Sequence, residues 1–298
     1  MGYWHNEVIR KGFFFYCRIY KIDGYQNYIW KWERKMFSEA WNKVMSEVLE
    51  FQNAGHDTWY RGQNNADYKL VSGLYRKKFE DINTYAASEI TYYQLFNRMG
   101  FTYHKENDWN LLFIMQHYGV RTRLLDWTES FAVALYFAYT NWDFKTHCSV
   151  WLLKPTQLNK KELGEAIYYD PEIKYEELIE DVYNLGFKNN TLAMYPNRNS
   201  TRIVSQQGMF TLQGKAGIPL DEEHNGDLFN DGIVKRIDLG PSLRKDIENY
   251  LKLCGISSFS LFPDLDGLAN HINSLGYFKT RELENQETQI ILSSQASV

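Results

Sequence analysis

Proline and cysteine are both scarce: the 298-residue chain holds 6 prolines and 3 cysteines. Cys17, Cys148 and Cys254 are odd in number and far apart, which fits neither a disulfide framework nor the paired spacing of a zinc site. The expectation is a reducing, cytoplasmic setting. With so few prolines and no low-complexity stretch, no clean linker divides the chain. A basic excess is lacking as well, since the formal net charge is −4. That argues against gripping duplex nucleic acid by neutralising many phosphates, while a local basic groove stays open. The first residues, MGYWHNEVIRKGFFFYC, carry charges before a short apolar run and lack the apolar core of a secretory leader. No run reaches the ~18 apolar residues of a membrane span, so no membrane partner is expected.

Several enzyme signatures are missing too: GxxxxGKS or GxxxxGKT, GxGxxG, HExxH and GxSxG do not occur. What is present is a globular composition, 44% hydrophobic and 23% charged, with 22 Tyr, 18 Phe and 9 Trp. Each aromatic buries about 150 to 250 Å², so most belong to the core.

Apolar residues from Ile29 to Leu49 recur at three- and four-residue intervals and predict a helix over Tyr28 to Gln52. Thr58 to Gly62 is a short β-prone run. Helices are predicted over Ile82 to Met99, Trp109 to Tyr118 (with Gly119 closing it) and Glu129 to Trp142. Cys148 to Leu153 has the length and continuous apolarity of a buried strand, and Pro155 can open a helix after it. Lys160 to Asn190 reads as a surface insertion. Strands are expected at Leu192 to Tyr195, Arg202 to Ser205, Met209 to Leu212 and Ile233 to Leu239, with Ser257 to Phe262 β-like. Helices are expected over Pro241 to Leu253 and Leu265 to Leu275. The sum is an α+β fold, a helical N-terminal half packed on a mixed or antiparallel sheet formed mainly by the second half. Residues 1–57 form an N-terminal helical segment, 58–275 the main domain and 276–298 a tail.

Four clusters carry chemistry. In Gln116 to Glu129, Asp126 or Thr128 suits a helix N-cap, with Glu129 completing a capping box. A cap does not account for His117, Arg121 and Arg123, and Arg123 is read equally as a partner of Asp126 or as a ligand contact. In Trp59 to Gln63, an arginine at a strand end offers two parallel hydrogen bonds to a phosphate, and Gly62 lets a ligand approach the backbone; a surface arginine before a turn is the plainer reading. Arg202 to Phe210 pauses at Gln207-Gly208 like a hairpin or bulge, where Gln207 can aim an amide into a pocket. In Leu261 to Leu268, Asp264 reads as a helix cap, and with no further ligands near Asp264 and Asp266 no metal site is expected.

In order and content these clusters resemble the FRG domain family, named for a Phe-Arg-Gly-type motif. Tyr60-Arg61-Gly62-Gln63 with Leu74-Tyr75-Arg76 matches its opening. His117-Tyr118-Gly119 through Thr122-Arg123-Leu124-Leu125-Asp126-Trp127-Thr128 and on to Ala138 matches its second motif. Arg202-Ile203 with Gln207-Gly208, then Leu261 to Leu268, are similar to its later ones, so the resemblance runs from about residue 58 to 270. Arg121 and Phe131 depart from the pattern, standing where prolines are usual.

A strand ending in Tyr-Arg-Gly is also similar to the first motif of arginine-class ADP-ribosyltransferases. The resemblance implies NAD as substrate and a nucleotide-holding site built on Tyr60, Arg61, Gly62 and Gln63 with His117, Tyr118, Thr122, Arg123 and Trp127. Arg61 would clamp phosphate, Tyr118 or Trp127 would face nicotinamide, and His117 or Gln207 would meet the ribose. No ExE or QxE signature supplies the usual glutamate, so either Asp126 provides the carboxylate or the site binds without cleaving. The functional expectation is an NAD-dependent transferase or NAD-cleaving toxin or defence effector with a protein or nucleic-acid acceptor. The alternatives are a non-catalytic module that binds a nucleotide, nucleic acid or protein, and a core in which Arg61, Arg123 and Asp126 only pair with one another.

Overall fold

The computed structural model describes residues 15–21, 28–34, 36–55, 57–79, 81–180 and 188–275. The expected tail at 276–298 lies outside them. In chain order the strands are β1 (Phe15–Lys21), β2 (Tyr28–Arg34), β3 (Trp59–Gln63), β4 (Leu124–Thr128), β5 (Cys148–Leu153), β6 (Leu192–Met194), β7 (Gly208–Leu212) and β8 (Val234–Leu239). The helices are α1 (Glu39–Gln52), α2 (Ile82–Gly100), α3 (Asp108–His117), α4 (Phe131–Tyr139), α5 (Pro155–Leu163), α6 (Tyr175–Glu180), α7 (Thr201–Ser205), α8 (Asp227–Asn230), α9 (Arg244–Leu253), α10 (Ser258–Leu261) and α11 (Leu265–Ser274).

β1 and β2 form an antiparallel pair. The remaining strands make a sheet in the order β6-β7-β4-β3-β5-β8, with every pairing antiparallel. Because side chains alternate across a strand, the register assigns faces. Tyr60 stands opposite Thr128, so Tyr60 shares a face with Leu124, while Trp59, Leu125 and Trp127 point the other way. On the first face, α1, α4 and α9 bury Trp41, Val48, Leu135 and Ile247 against Tyr60, Val150 and Leu239. On the same face α2, α3, α6 and α7 bury Tyr93, Leu112, Tyr175 and Ile203 against Leu124, Phe210 and Leu212. Leu70, Leu158, Leu220 and Leu228 cover the second face around Trp59, Trp127 and Trp151. Two helical blocks thus stand side by side over one sheet.

The α+β expectation holds, but the division into a helical half and a sheet half does not: strands and helices alternate along the chain. The helix expected from Tyr28 starts at Glu39, where Ser38 accepts from the Trp41 amide, and Tyr28–Arg34 is strand instead. The stretch around Asp126 is neither loop nor cap. It is β4, with Asp126 opposite Phe210, and the cap of α4 is Ser130. The strand expected over Arg202 to Ser205 is the short helix α7, because the Ser200 hydroxyl accepts from the Ile203 amide and opens a turn there. Ser257 likewise caps α10 where a β-like run was expected. The segment after Lys160 is no mere surface insertion, since Tyr175 and Leu178 are buried. Asp264 caps α11 as expected, accepting from the Gly267 amide at 2.7 Å.

Candidate functional site

β3 and β4 are neighbours joined by one residue pair, Tyr60 with Thr128. Each keeps a full five-residue register with its other neighbour, β3 with β5 and β4 with β7. Beyond that pair the strands part, and Arg61 reaches across to donate from Nη1 to the carbonyl of Asp126 at 2.6 Å. A cleft of about 1040 Å³ opens at the split, walled by Arg61, Gln63, Gln116, Asp126, Arg202 and Gln206 among others. Its walls draw on both faces of the sheet and on the gap between the two helical blocks. An adjoining lobe of about 550 Å³ shares Arg61, Gln116 and Asp126 with it.

The Arg61 side chain is only 15% exposed. Burial pulls its guanidinium down to about 10, opposed by Asp126 and reinforced by Arg76, so it remains a cation at neutral pH. Its Nε, buried, has no hydrogen-bond partner within the protein. An unmet buried donor costs about 1 to 3 kcal/mol, which a bound anion can recover. Asp126 projects from the middle of β4, 58% exposed and 3.8 Å from Arg61 Nη1.

Asp126 is oriented by a short relay. The Thr122 hydroxyl accepts from the Leu124 amide at 3.1 Å and donates to Gln116 Oε1 at 2.7 Å. That turns the Gln116 amide nitrogen toward Asp126 Oδ2, to which it donates at 2.9 Å. Gly119, at φ +79°, lets α3 end in a left-handed turn, closed by bonds from the Gly119 amide to Gln116 and from the Val120 amide to Met115. Gln116 is thereby fixed at the cleft.

Arg202 reaches the cleft from α7. It lies over the Phe262 ring at 4.5 Å and donates to the His117 carbonyl at 2.9 Å. Burial lowers its guanidinium below the ordinary value, with Asp126 and Asp264 opposing. Burial and then Arg202 also hold the His117 imidazole below its usual range, where it shares a hydrogen bond with Ser200 Oγ at 3.1 Å.

Of the expected site residues, Arg61, Asp126, Gln63 and Gly62 meet at this cleft, and Tyr60 and Trp127 contribute to its wall from the core. Tyr60 packs edge-on against Phe131, at the start of α4, and the Trp127 indole donates to Thr211 Oγ1. Gln63 is engaged at both ends of its amide, by the Trp151 indole and by the Lys69 carbonyl. Gly62 is small for a different reason than ligand access: a Cβ there would lie 1.8 Å from the Ala134 carbonyl oxygen and 2.5 Å from the Ala138 nitrogen. His117, Tyr118, Thr122, Arg123 and Gln207 are not among the cleft's lining residues. Gln207, exposed at φ 48°, holds the Glu129 amide with its carbonyl, and its neighbour Gln206 faces the cleft.

Arg123 does not pair with Asp126. Its backbone amide donates to Glu89 Oε1 at 2.8 Å, and its Nε donates to Glu89 Oε2 at 2.5 Å. Both residues are buried. Burial pulls the Arg123 guanidinium down, but Glu89 together with Tyr175 and Tyr75 holds it above the ordinary value. Nothing in the sequence near Arg123 signals Glu89, which comes from α2. Arg202, Gln206 and Gln116 lie beside or within the motifs, yet the sequence does not mark them as cleft residues. Their spacing places them on helix ends whose direction only the fold reveals.

No curated protein and no solved structure matches the chain. A family model does: residues 56–146, the stretch from β3 through α4 that carries Arg61, Gln116 and Asp126, match the FRG domain.

Proposed function

We propose that the cleft binds NAD and that the chain breaks its nicotinamide–ribose bond, passing ADP-ribose to an acceptor or to water. The observation that carries this reading is the juxtaposition of a largely buried arginine, with an unpartnered Nε, and an exposed carboxylate held within 3.8 Å of it. Arg61 and Arg202 hold the diphosphate, since guanidinium groups match phosphate oxygens with paired donors. The C1′–N bond breaks with its electron pair leaving on nicotinamide, whose ring nitrogen loses its positive charge. The ribose becomes oxocarbenium-like, and the Asp126 carboxylate stabilises that charge. The attacking oxygen then bonds to C1′ and releases its proton to Asp126 or solvent. Gln116 keeps one carboxylate oxygen engaged and so fixes where the other points. Consumption of NAD in the cytoplasm suits a toxin or a defence effector.

Incubation with NAD labelled in the nicotinamide ring tests the reading. Wild-type protein should release nicotinamide, and Asp126→Asn should lower the rate by about 100-fold or more while leaving the fold intact. Arg61→Ala should lose both NAD binding and release. A second reading, a module that binds the nucleotide without cleaving it, is favoured by the hydrogen bond from Gln116 and the nearness of Arg61, which already engage Asp126. Saturable NAD binding with no nicotinamide released would decide for that module.

A further inference from the structure

Against a chain whose net charge is −4, the lobe adjoining the cleft is basic. It is walled by Arg61, Arg76, Lys77 and Arg121, with Asp126 as its carboxylate. Arg76, Lys77 and Arg121 are exposed, and among the described residues no carboxylate forms an ion pair with any of them. They arrive from two segments that are fastened together. The Leu74 amide donates to the Thr122 carbonyl at 3.0 Å, and Gly73 sits so close to Arg121 that a Cβ there would lie 3.7 Å from the Arg121 Cα. Arg76 donates from Nε to the Val71 carbonyl at 3.1 Å, and Asp126 is the one carboxylate among the lobe's lining residues, so the like charges repel one another and a bound anion would relieve that repulsion. Two exposed aromatic residues stand next to it: Tyr118, 69% exposed and packed on one side by the His117 ring, immediately precedes Gly119, which walls both hollows, and Tyr68, 55% exposed, lines the adjoining cleft.

We propose that this lobe is a docking surface for single-stranded nucleic acid, with backbone phosphates along Arg76, Lys77 and Arg121 and a base stacked on Tyr118. Cations interleaved with exposed aromatic planes are the combination that single strands use, since every base offers a π-face and every linkage a charge. An acidic peptide would satisfy the cations and leave the rings without a purpose. Because the lobe shares Asp126 and Arg61 with the cleft, a strand held there brings its sugar or base to the place where ADP-ribose would be released; its role as acceptor rests on the function proposed above, its binding does not.

Fluorescence anisotropy with labelled dT12 and rU12, without NAD, tests the binding. Lys77→Glu combined with Arg121→Glu should weaken the affinity by about tenfold or more and flatten the salt dependence, by about 0.7 in the log–log slope for each phosphate no longer neutralised. Tyr118→Ala should weaken it about fivefold with the slope unchanged. Circular dichroism establishes that both variants are folded. Nicotinamide release into water by the charge-reversal variant should equal that of wild type, which separates the two proposals: abolished strand binding with intact release supports the docking surface. Absence of oligonucleotide binding by wild type, equal binding by the charge-reversal variant, or displacement of the oligonucleotide by equimolar polyglutamate would each overturn it.

Discussion

At the scale of single residues, burial and charge separate the arginine at the cleft from the arginine of the core. Arg61 and Arg123 look alike in sequence, each beside apolar strand residues. Arg123 is neutralised by Glu89 in the interior, where removing one partner of a buried pair costs about 3 to 5 kcal/mol. Arg61 keeps a donor in reserve at the cleft. The sequence singled out Arg61 and Asp126 through their motifs, and the fold brings both to the cleft; it did not distinguish Arg123 from them, because Glu89 lies far away along the chain. A third carboxylate has a pH consequence. Glu223, 1% exposed, accepts from the Thr191 amide at 2.9 Å and the Thr191 hydroxyl at 2.6 Å. Burial nevertheless pushes it from 4.5 up to about 7, with Thr191 opposing. The folded state therefore retains a proton that the unfolded chain gives up, and stability falls as pH rises from about 4.5 to about 7. The loss is on the order of 3 kcal/mol. Urea unfolding at pH 5 and pH 8 should show a larger drop for wild type than for Glu223→Gln, and parallel drops would dismiss the assignment.

At the scale of elements, the register of β3 against α4 is set by a missing side chain. Ala134 and Ala138 are small and buried, and Gly62 completes the packing by letting the helix backbone rest on the strand. Gly62→Ala would drive a methyl into the Ala134 carbonyl. The helix must move, at a cost of about 1 to 3 kcal/mol, and the Arg61 geometry moves with it. Thermal unfolding should therefore drop by several degrees, and nicotinamide release should fall more steeply than stability alone explains. A variant as stable as wild type would mean that α4 is free to shift. Elements with one strong signal were readable in advance: Cys148 to Leu153 by its continuous apolarity, Pro155 at the start of α5, and α2, α3 and α11 by their periodicity. Elements with competing signals were not. Leu124 to Thr128 carries an aspartate in its middle and potential caps at its end, so a strand reads as a helix start. Tyr28 to Arg34 runs directly into the apolar pattern of α1, which hides its alternation. Arg202 to Ser205 is β-branched in composition, yet Ser200 caps it as helix.

At the scale of the whole molecule, composition was legible and layout was not. The α+β class follows from the mixture of periods, whereas the interleaving of strands and helices depends on pairings across the chain, such as β3 with β5 and β4 with β7. Net charge does not locate charge either: in a chain of formal net charge −4, Arg61, Arg76, Lys77 and Arg121 wall one lobe. The single Tyr60–Thr128 pair makes the middle of the sheet a seam between two half-sheets, each laced tightly within itself and each carrying its own helices. Breathing should then be easiest along that line. In native-state hydrogen exchange, Thr128 and its neighbours at the junction should exchange through smaller openings than the amides of β5 and β7, and a nucleotide gripped from both banks should slow them selectively. Uniform protection across all six strands would indicate that the halves open together as one plate.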